Sequence, residues 1–105
     1  MEESIFLEVV GKSSTMKILQ YLIEGRHFDY TLTDLAKNSG VSWGTLHTIF
    51  PKLIKNKIVV KTRDVGRAKL YKINVENPIA KRLIELYDSI NIANLEKNKE
   101  KIIAV

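Results

Sequence analysis

The chain contains no cysteine. That one absence removes disulfide frameworks, thiolate metal sites and thiol catalysis. Proline is scarce, with two in 105 residues. No apolar run approaches the roughly 18 residues of a membrane-spanning helix. Catalytic combinations are missing as well. The two histidines, His27 and His47, lie on different segments, and Asp29 near His27 reads as a loop feature and not as a dyad. We therefore expect no enzyme, no metal site, no cofactor and no membrane partner. Gly11-Lys12-Ser13 has the ending of a phosphate-binding loop, but the glycine such a loop needs five positions earlier is Phe6. The start, Met1-Glu2-Glu3-Ser4, is acidic where an export signal is basic, and a cytoplasmic protein is expected.

What is present suits one packed domain spanning residues 1–105: 45% hydrophobic and 28% charged residues, with a net charge of +5. The charge is unevenly placed. Between residues 42 and 72, Lys52, Lys55, Lys57, Lys61, Arg63, Arg67, Lys69 and Lys72 face Asp64 alone, so the remainder of the chain is net acidic. A concentrated basic stretch suggests a polyanionic partner. On charge alone a solvated lysine-rich surface explains it equally well.

Local patterns divide the chain into short elements. Residues 4–10 read as a helix ending at Gly11. Ser13, Ser14 and Thr15 are candidate caps for a second helix, with Ile18, Leu19, Leu22 and Ile23 at helical spacing and a stop at Gly25. Phe28, Tyr30 and Leu32 alternate as in one edge strand. Thr33 is expected to cap a third helix through Asn38, and Gly40 to end it. Ser42 would cap a fourth helix to about Asn56, with a bend and not a break at Pro51. Residues 58–64 and 68–74 read as a hairpin turning around Asp64-Val65-Gly66-Arg67. Asn77-Pro78 opens a last helix running to the mid-90s, with a charged tail over residues 96–101.

Two neighbouring features sharpen this. Ala36 is small where two helices would cross, Gly40 lies in the turn, Val41 points inward, and Leu46, Ile49, Phe50 and Leu53 form the buried stripe of the next helix. This spacing packs two helices at the steep angle of a DNA-binding helix-turn-helix. In the last helix Ile79, Leu83, Leu86, Ile90 and Ala93 recur at 4-3-4-3 spacing, the seam of a two-stranded coiled coil, beside a second apolar stripe of Ala80, Ile84 and Tyr87. The seam suits a homodimer, and Ile5, Phe6, Val9 and Val10 are candidates to join it. The alternative is a helix that closes its own core.

The stretch Leu32-Thr33-Asp34-Leu35-Ala36-Lys37-Asn38-Ser39-Gly40-Val41-Ser42, with Thr45-Leu46-His47, Leu53-Ile54-Lys55-Asn56-Lys57-Ile58-Val59, Gly66–Asn74 and Asn77-Pro78-Ile79, resembles the winged helix-turn-helix superfamily of DNA-binding regulators. Its members include arsenic-repressor-like and multiple-antibiotic-resistance-like proteins and many small archaeal regulators. The resemblance runs from about residue 13 to 95. It implies a mainly α fold with a small β-hairpin wing and a long C-terminal dimerisation helix. The helix-turn-helix would occupy about 33–56, the wing about 58–74 and the dimer helix about 77–95. It further implies that the helix from Ser42 lies in the major groove of double-stranded DNA, with the wing alongside.

Once the buried positions are removed, Trp43, Gly44, Thr45, His47, Thr48 and Lys52 are left facing outward beside the Ser42 cap. They are small or carry hydrogen-bonding groups, as base-edge reading requires. Trp43 suits either the DNA strand or a seal over the turn. In the wing, Arg63, Arg67 and Lys69 suit phosphate contact, or an edge hairpin kept soluble by charge. The expected dimer interface comprises Ile79, Leu83, Leu86, Tyr87, Ile90 and Ala93. A winged-helix protein-interaction module and a nonspecific chromatin-like DNA binder remain as other functions, and any small-molecule effector is unknown.

Overall fold

The computed structural model describes residues 4–103, and side chains as far as residue 97. Five helices and one hairpin follow in the order α1 (Ile5–Val10), α2 (Ser14–Glu24), α3 (Leu32–Ser39), α4 (Trp43–Lys55), β1 (Val59–Val65), β2 (Ala68–Ile73) and α5 (Pro78–Ile103). This is the mainly α architecture with a β-hairpin that the sequence suggested.

Most helix ends are fixed by local side-chain chemistry. Ser4 and Ser13 cap α1 and α2 by accepting from the amides of Leu7 and Met16. For α3 the cap is Thr31, not Thr33. Thr31 Oγ1 accepts from the Asp34 amide at 3.1 Å, and the Asp34 carboxylate accepts from the Thr31 amide at 3.2 Å. The reciprocal box explains the choice: three residues beyond Thr31 stands an acid, whereas three beyond Thr33 stands Ala36, which has nothing to return. Gly40 then ends α3 with φ +73°, the left-handed conformation glycine adopts most cheaply.

α4 begins after its Ser42 cap and runs unbroken through Pro51. Its far end is a Schellman turn. The Ile58 amide reaches the Leu53 carbonyl and the Lys57 amide the Ile54 carbonyl, both at 3.0 Å. The left-handed position in this turn is Lys57, with φ +57° and no glycine.

β1 and β2 pair antiparallel from Val59↔Ile73 to Val65↔Ala68, which leaves Gly66 and Arg67 as a two-residue turn. The register slips between Lys61 and Arg63, so Thr62 is a bulge residue. The expected edge strand over 26–32 reduces to one bridge, Tyr30 to Tyr71, with both backbone bonds at 2.8 Å. Two residues after Tyr30 the chain is already helical, so no second pair can form.

The core lies around α2. Ile18, Leu22, Ile23, Leu35, Leu46, Val59, Ile73 and Ala80 are almost wholly excluded from solvent, with Val41, Phe50 and Leu53 beside them. Partly buried Ala36 and Ile49 pack against the same cluster. Phe50 meets Tyr71 edge-on at 4.9 Å, which joins α4 to β2. Asn77 caps α5 by accepting from the Ile79 and Ala80 amides, and its own amide group donates to the Asn56 carbonyl, tying the start of α5 to the end of α4.

α5 extends beyond the mid-90s to Ile103 and is roughly 39 Å long. The reason is local. Residues 96–101 are glutamates, lysines and one asparagine, with no glycine or proline to stop the helix.

Candidate nucleic-acid interface

The outward face of α4 is built by its buried one. Leu46, Phe50 and Leu53 point into the core, which turns Trp43, Gly44, His47, Thr48 and Lys52 to solvent and leaves Thr45 half-buried. Around Gly44 a Cβ would meet nothing within 4 Å, so this surface is open to a close neighbour. The first turn is ordered by its own hydroxyls. Ser42 Oγ accepts from the Thr45 amide and donates to Thr45 Oγ1 at 2.8 Å, while Thr48 Oγ1 donates to the Gly44 carbonyl at 3.2 Å. Thr45 thus keeps a hydroxyl hydrogen for an outside acceptor, and Thr48 keeps lone pairs for an outside donor. Trp43 is 50% exposed and meets the His47 ring edge-on at 4.5 Å. Its ring partner is a neighbour on its own helix.

The wing reaches the same region. Trp43, Arg67, Ala68, Lys69 and Tyr71 line one shallow cleft with Thr31, Leu32 and Thr33 at the start of α3. The start of α4 and the tip of the hairpin therefore stand side by side. Gly66, with φ +61°, makes the turn that presents Arg67. Neither Arg67, Lys69 nor Lys52 forms an ion pair among the described residues.

Two cations of the basic window are already used, and one of them, Arg63, was among the expected wing contacts. Lys61 pairs with Asp64 at 2.8 Å. Arg63 gives a two-pronged contact to Asp29, Nε at 2.9 Å and Nη2 at 3.1 Å, and Thr62 Oγ1 donates to the same carboxylate at 2.5 Å. The bonds from Arg63 and Thr62 hold the Asp29 carboxyl down at about 2, well below the ordinary carboxylate range. Arg63 was expected near the wing tip as a DNA contact. It lies beside the bulge and is paired with Asp29 of its own chain, a pairing the sequence hid because 34 residues separate the partners.

On α5 the second apolar stripe packs inward, and Leu83 of the 4-3-4-3 seam leans the same way although it was expected at the dimer interface. Ala80 is buried, and Leu83, Ile84 and Tyr87 lean on the core. Tyr87 also stacks edge-on against Phe6 of α1 at 5.3 Å, and burial pushes its phenol up. Its ring is thus packed within its own chain, although it was expected at the dimer interface. Phe6 is likewise internal. Ile79 (54% exposed) and Leu86 (40%) face outward, and Ile90 and Ala93 share an apolar cleft with Ile5 and Val9 of α1. Ile92 and Leu95 are also exposed, but helical periodicity turns them away from the face of Ile79, Leu86, Ile90 and Ala93.

No protein-family model and no curated protein matches the sequence. Solved structures do match. MepR, a transcription regulator of the Staphylococcus aureus multidrug efflux pump MepA, superposes with a TM-score of 0.62 at 16% identity, over 93% of this chain and 76% of that one. The adhesin competence repressor AdcR from Streptococcus pyogenes gives 0.63 at 18% identity, over 96% and 75%. A mutant S. aureus MepR bound to an oligodeoxyribonucleotide gives 0.62 at 19% identity, over 94% and 69%. The chain shares the fold of these structures, a winged helix-turn-helix. Among the described residues no helix is long and apolar enough to cross a membrane.

Proposed function

We propose that the protein is a cytoplasmic, dimeric, sequence-specific regulator that binds double-stranded DNA and carries out no catalytic step. The observation that carries this reading is the shared cleft at which the exposed start of α4 meets Arg67 and Lys69 of the wing. One surface then offers both things duplex recognition needs: small hydrogen-bonding groups at groove depth and cations at backbone height. Thr45, His47 and Thr48 face base edges, with Gly44 allowing the close approach. Lys52, Arg67 and Lys69 meet phosphates. A MepR mutant bound to an oligodeoxyribonucleotide has the same fold, which supports this reading.

The dimer rests on the outward face of α5. Ile79, Leu86, Ile90 and Ala93 form an apolar strip that Val9 of α1 widens. A strip of this kind on a small domain marks a protein contact, and a second copy brings two recognition helices to a two-fold site.

Selection from a random duplex pool tests the whole reading. The expected product is an enriched palindrome whose half-sites lie about one helical turn apart. Affinity should fall steeply with salt, at a logarithmic slope near −0.9 for each of roughly 6–10 neutralised phosphates. A flat salt response refutes phosphate contact and favours the protein-interaction module. Enrichment without sequence preference favours the nonspecific binder.

A further inference from the structure

The segment between α2 and α3 is short, yet it is fastened at both ends. At its start, Arg26 holds Asp88 of α5 through two bonds, Nη2 to Oδ1 at 2.8 Å and Nη1 to Oδ2 at 3.1 Å, while its Nε donates to the Ile23 carbonyl. At its end, Tyr30 bridges Tyr71 of β2 and packs against Tyr21 at a ring distance of 4.8 Å. Between these anchors Asp29 reaches across to β1. Its carboxylate takes three bonds, one from Thr62 and two from Arg63, at the point where β1 bulges out of register with β2.

A bulge bends and twists a strand, so the direction of everything beyond it depends on what holds it there. Beyond this one lies the turn carrying Arg67. Among the described residues the hairpin has no third full strand, and although its base at Val59 and Ile73 is buried in the core, β1 is exposed from Lys61 onward. Asp29 supplies the missing support from a loop that is itself tied to α5.

We propose that Asp29 is a positioning residue for the wing, holding the bulge of β1 through Thr62 and Arg63, so that Arg63 is a structural tie and not a phosphate contact. The consequence for DNA rests on the regulator reading above. Simple charge predicts the opposite sign: deleting an acid beside a polyanion strengthens binding. A tie predicts weaker binding, because Arg67 loses its place.

The experiment has two arms, on wild type, Asp29→Ala, Asp29→Asn and Arg63→Ala, with thermal melts to check folding. In the free protein, backbone 15N relaxation at Gly66 and Arg67 should show order parameters falling from the rigid range near 0.85 toward about 0.6 in the Asp29 variants. On a selected duplex, Asp29→Ala should lower affinity by roughly two- to fivefold, the range expected for losing an exposed ion pair. Arg63→Ala should lower it similarly with an unchanged salt slope, the double variant should be no worse than either single one, and exchanging the partners, Asp29→Arg with Arg63→Asp, should recover binding. Tighter binding by Asp29→Ala, or a slope flattened by about one in Arg63→Ala, overturns the assignment. If wild type binds no duplex, the regulator reading fails by itself. The relaxation arm still decides the tie: wing order unchanged by Asp29→Ala or Asp29→Asn refutes it.

Discussion

Gly44 separates folding from binding, and Gly44→Leu sets the two against each other. A Cβ at this position meets nothing within 4 Å, and the residue lies inside α4 with no positive φ. Folding therefore has no steric reason to object. A helix interior favours leucine over glycine by somewhat under about 1 kcal/mol. The position is near the N-terminus, where part of that gain is lost, so a stabilisation of about 0.5 kcal/mol is expected. For a domain of this size that raises the melting temperature by about 2–4 °C. Binding should move the other way. A leucine side chain standing between Trp43 and Thr48 holds α4 away from a groove floor. The contacts assigned to Thr45 and Thr48 are then lost, at about 1–3 kcal/mol for each good base contact. The two measurements are a thermal melt followed by circular dichroism and a fluorescence titration of labelled duplex, in which Trp43, the sole tryptophan, serves as an internal reporter. A more stable protein that binds at least tenfold more weakly fits the argument. Wild-type affinity in a folded Gly44→Leu variant refutes the placement of α4 in the groove.

Lys57→Gly should stabilise the fold. A lysine pays about 1–2 kcal/mol to sit at φ +57°, while glycine costs about 0.5–1 kcal/mol in chain entropy, so a net gain of about 0.5–1 kcal/mol is expected from urea unfolding. Leu86→Asp and Ile90→Asp should yield monomers by light scattering, and a wild-type protein that is monomeric at micromolar concentration refutes the α5 interface. His47→Ala and Thr48→Ala should relax sequence choice, while Arg67→Ala weakens all duplexes alike and flattens the salt slope by about one; the reverse pattern makes the wing the reader. Acid should loosen the fold in a defined window. The Arg26 guanidinium holds the Asp88 carboxyl below its ordinary value, as Arg63 and Thr62 hold that of Asp29 at about 2. Depressed folded-state values mean stability that is present above the unfolded carboxylate value near 3.9 and lost as pH falls through the folded one. Urea midpoints should drop between about pH 4 and 2. Asp88→Asn should flatten part of that drop at a cost under about 1 kcal/mol, because this pair is partly exposed and screened.

The chemistry of the α4 face was legible from the sequence because it follows from subtraction. Leu46, Phe50 and Leu53 must be inside a helix of period 3.6, and whatever remains is outside. The second stripe of α5 divided less cleanly. Periodicity shows that two apolar faces exist, but a partner chain and the protein's own core attract the same side chains. Only packing shows that Tyr87 goes to Phe6 while Leu86 goes to solvent.

What the sequence determined by itself was whatever a few neighbouring residues decide. Ser13, Ser42 and Asn77 cap helices because their oxygens reach amides two or three residues on, and Gly40 turns the chain because it tolerates positive φ. The correction at Thr31 was within the same reach, since its partner Asp34 is three residues away. Tertiary structure decided the pairings that span the chain. Asp29 with Arg63, Arg26 with Asp88, and Tyr30 with Tyr71 join segments 34 to 62 residues apart. No local preference encodes such pairs. Each exists because the burial of Leu22, Leu35, Leu46 and Ile73 in one core brings the surfaces around them within a hydrogen bond's length. A charge that looked free along the chain, Arg63, was bound once that core had closed.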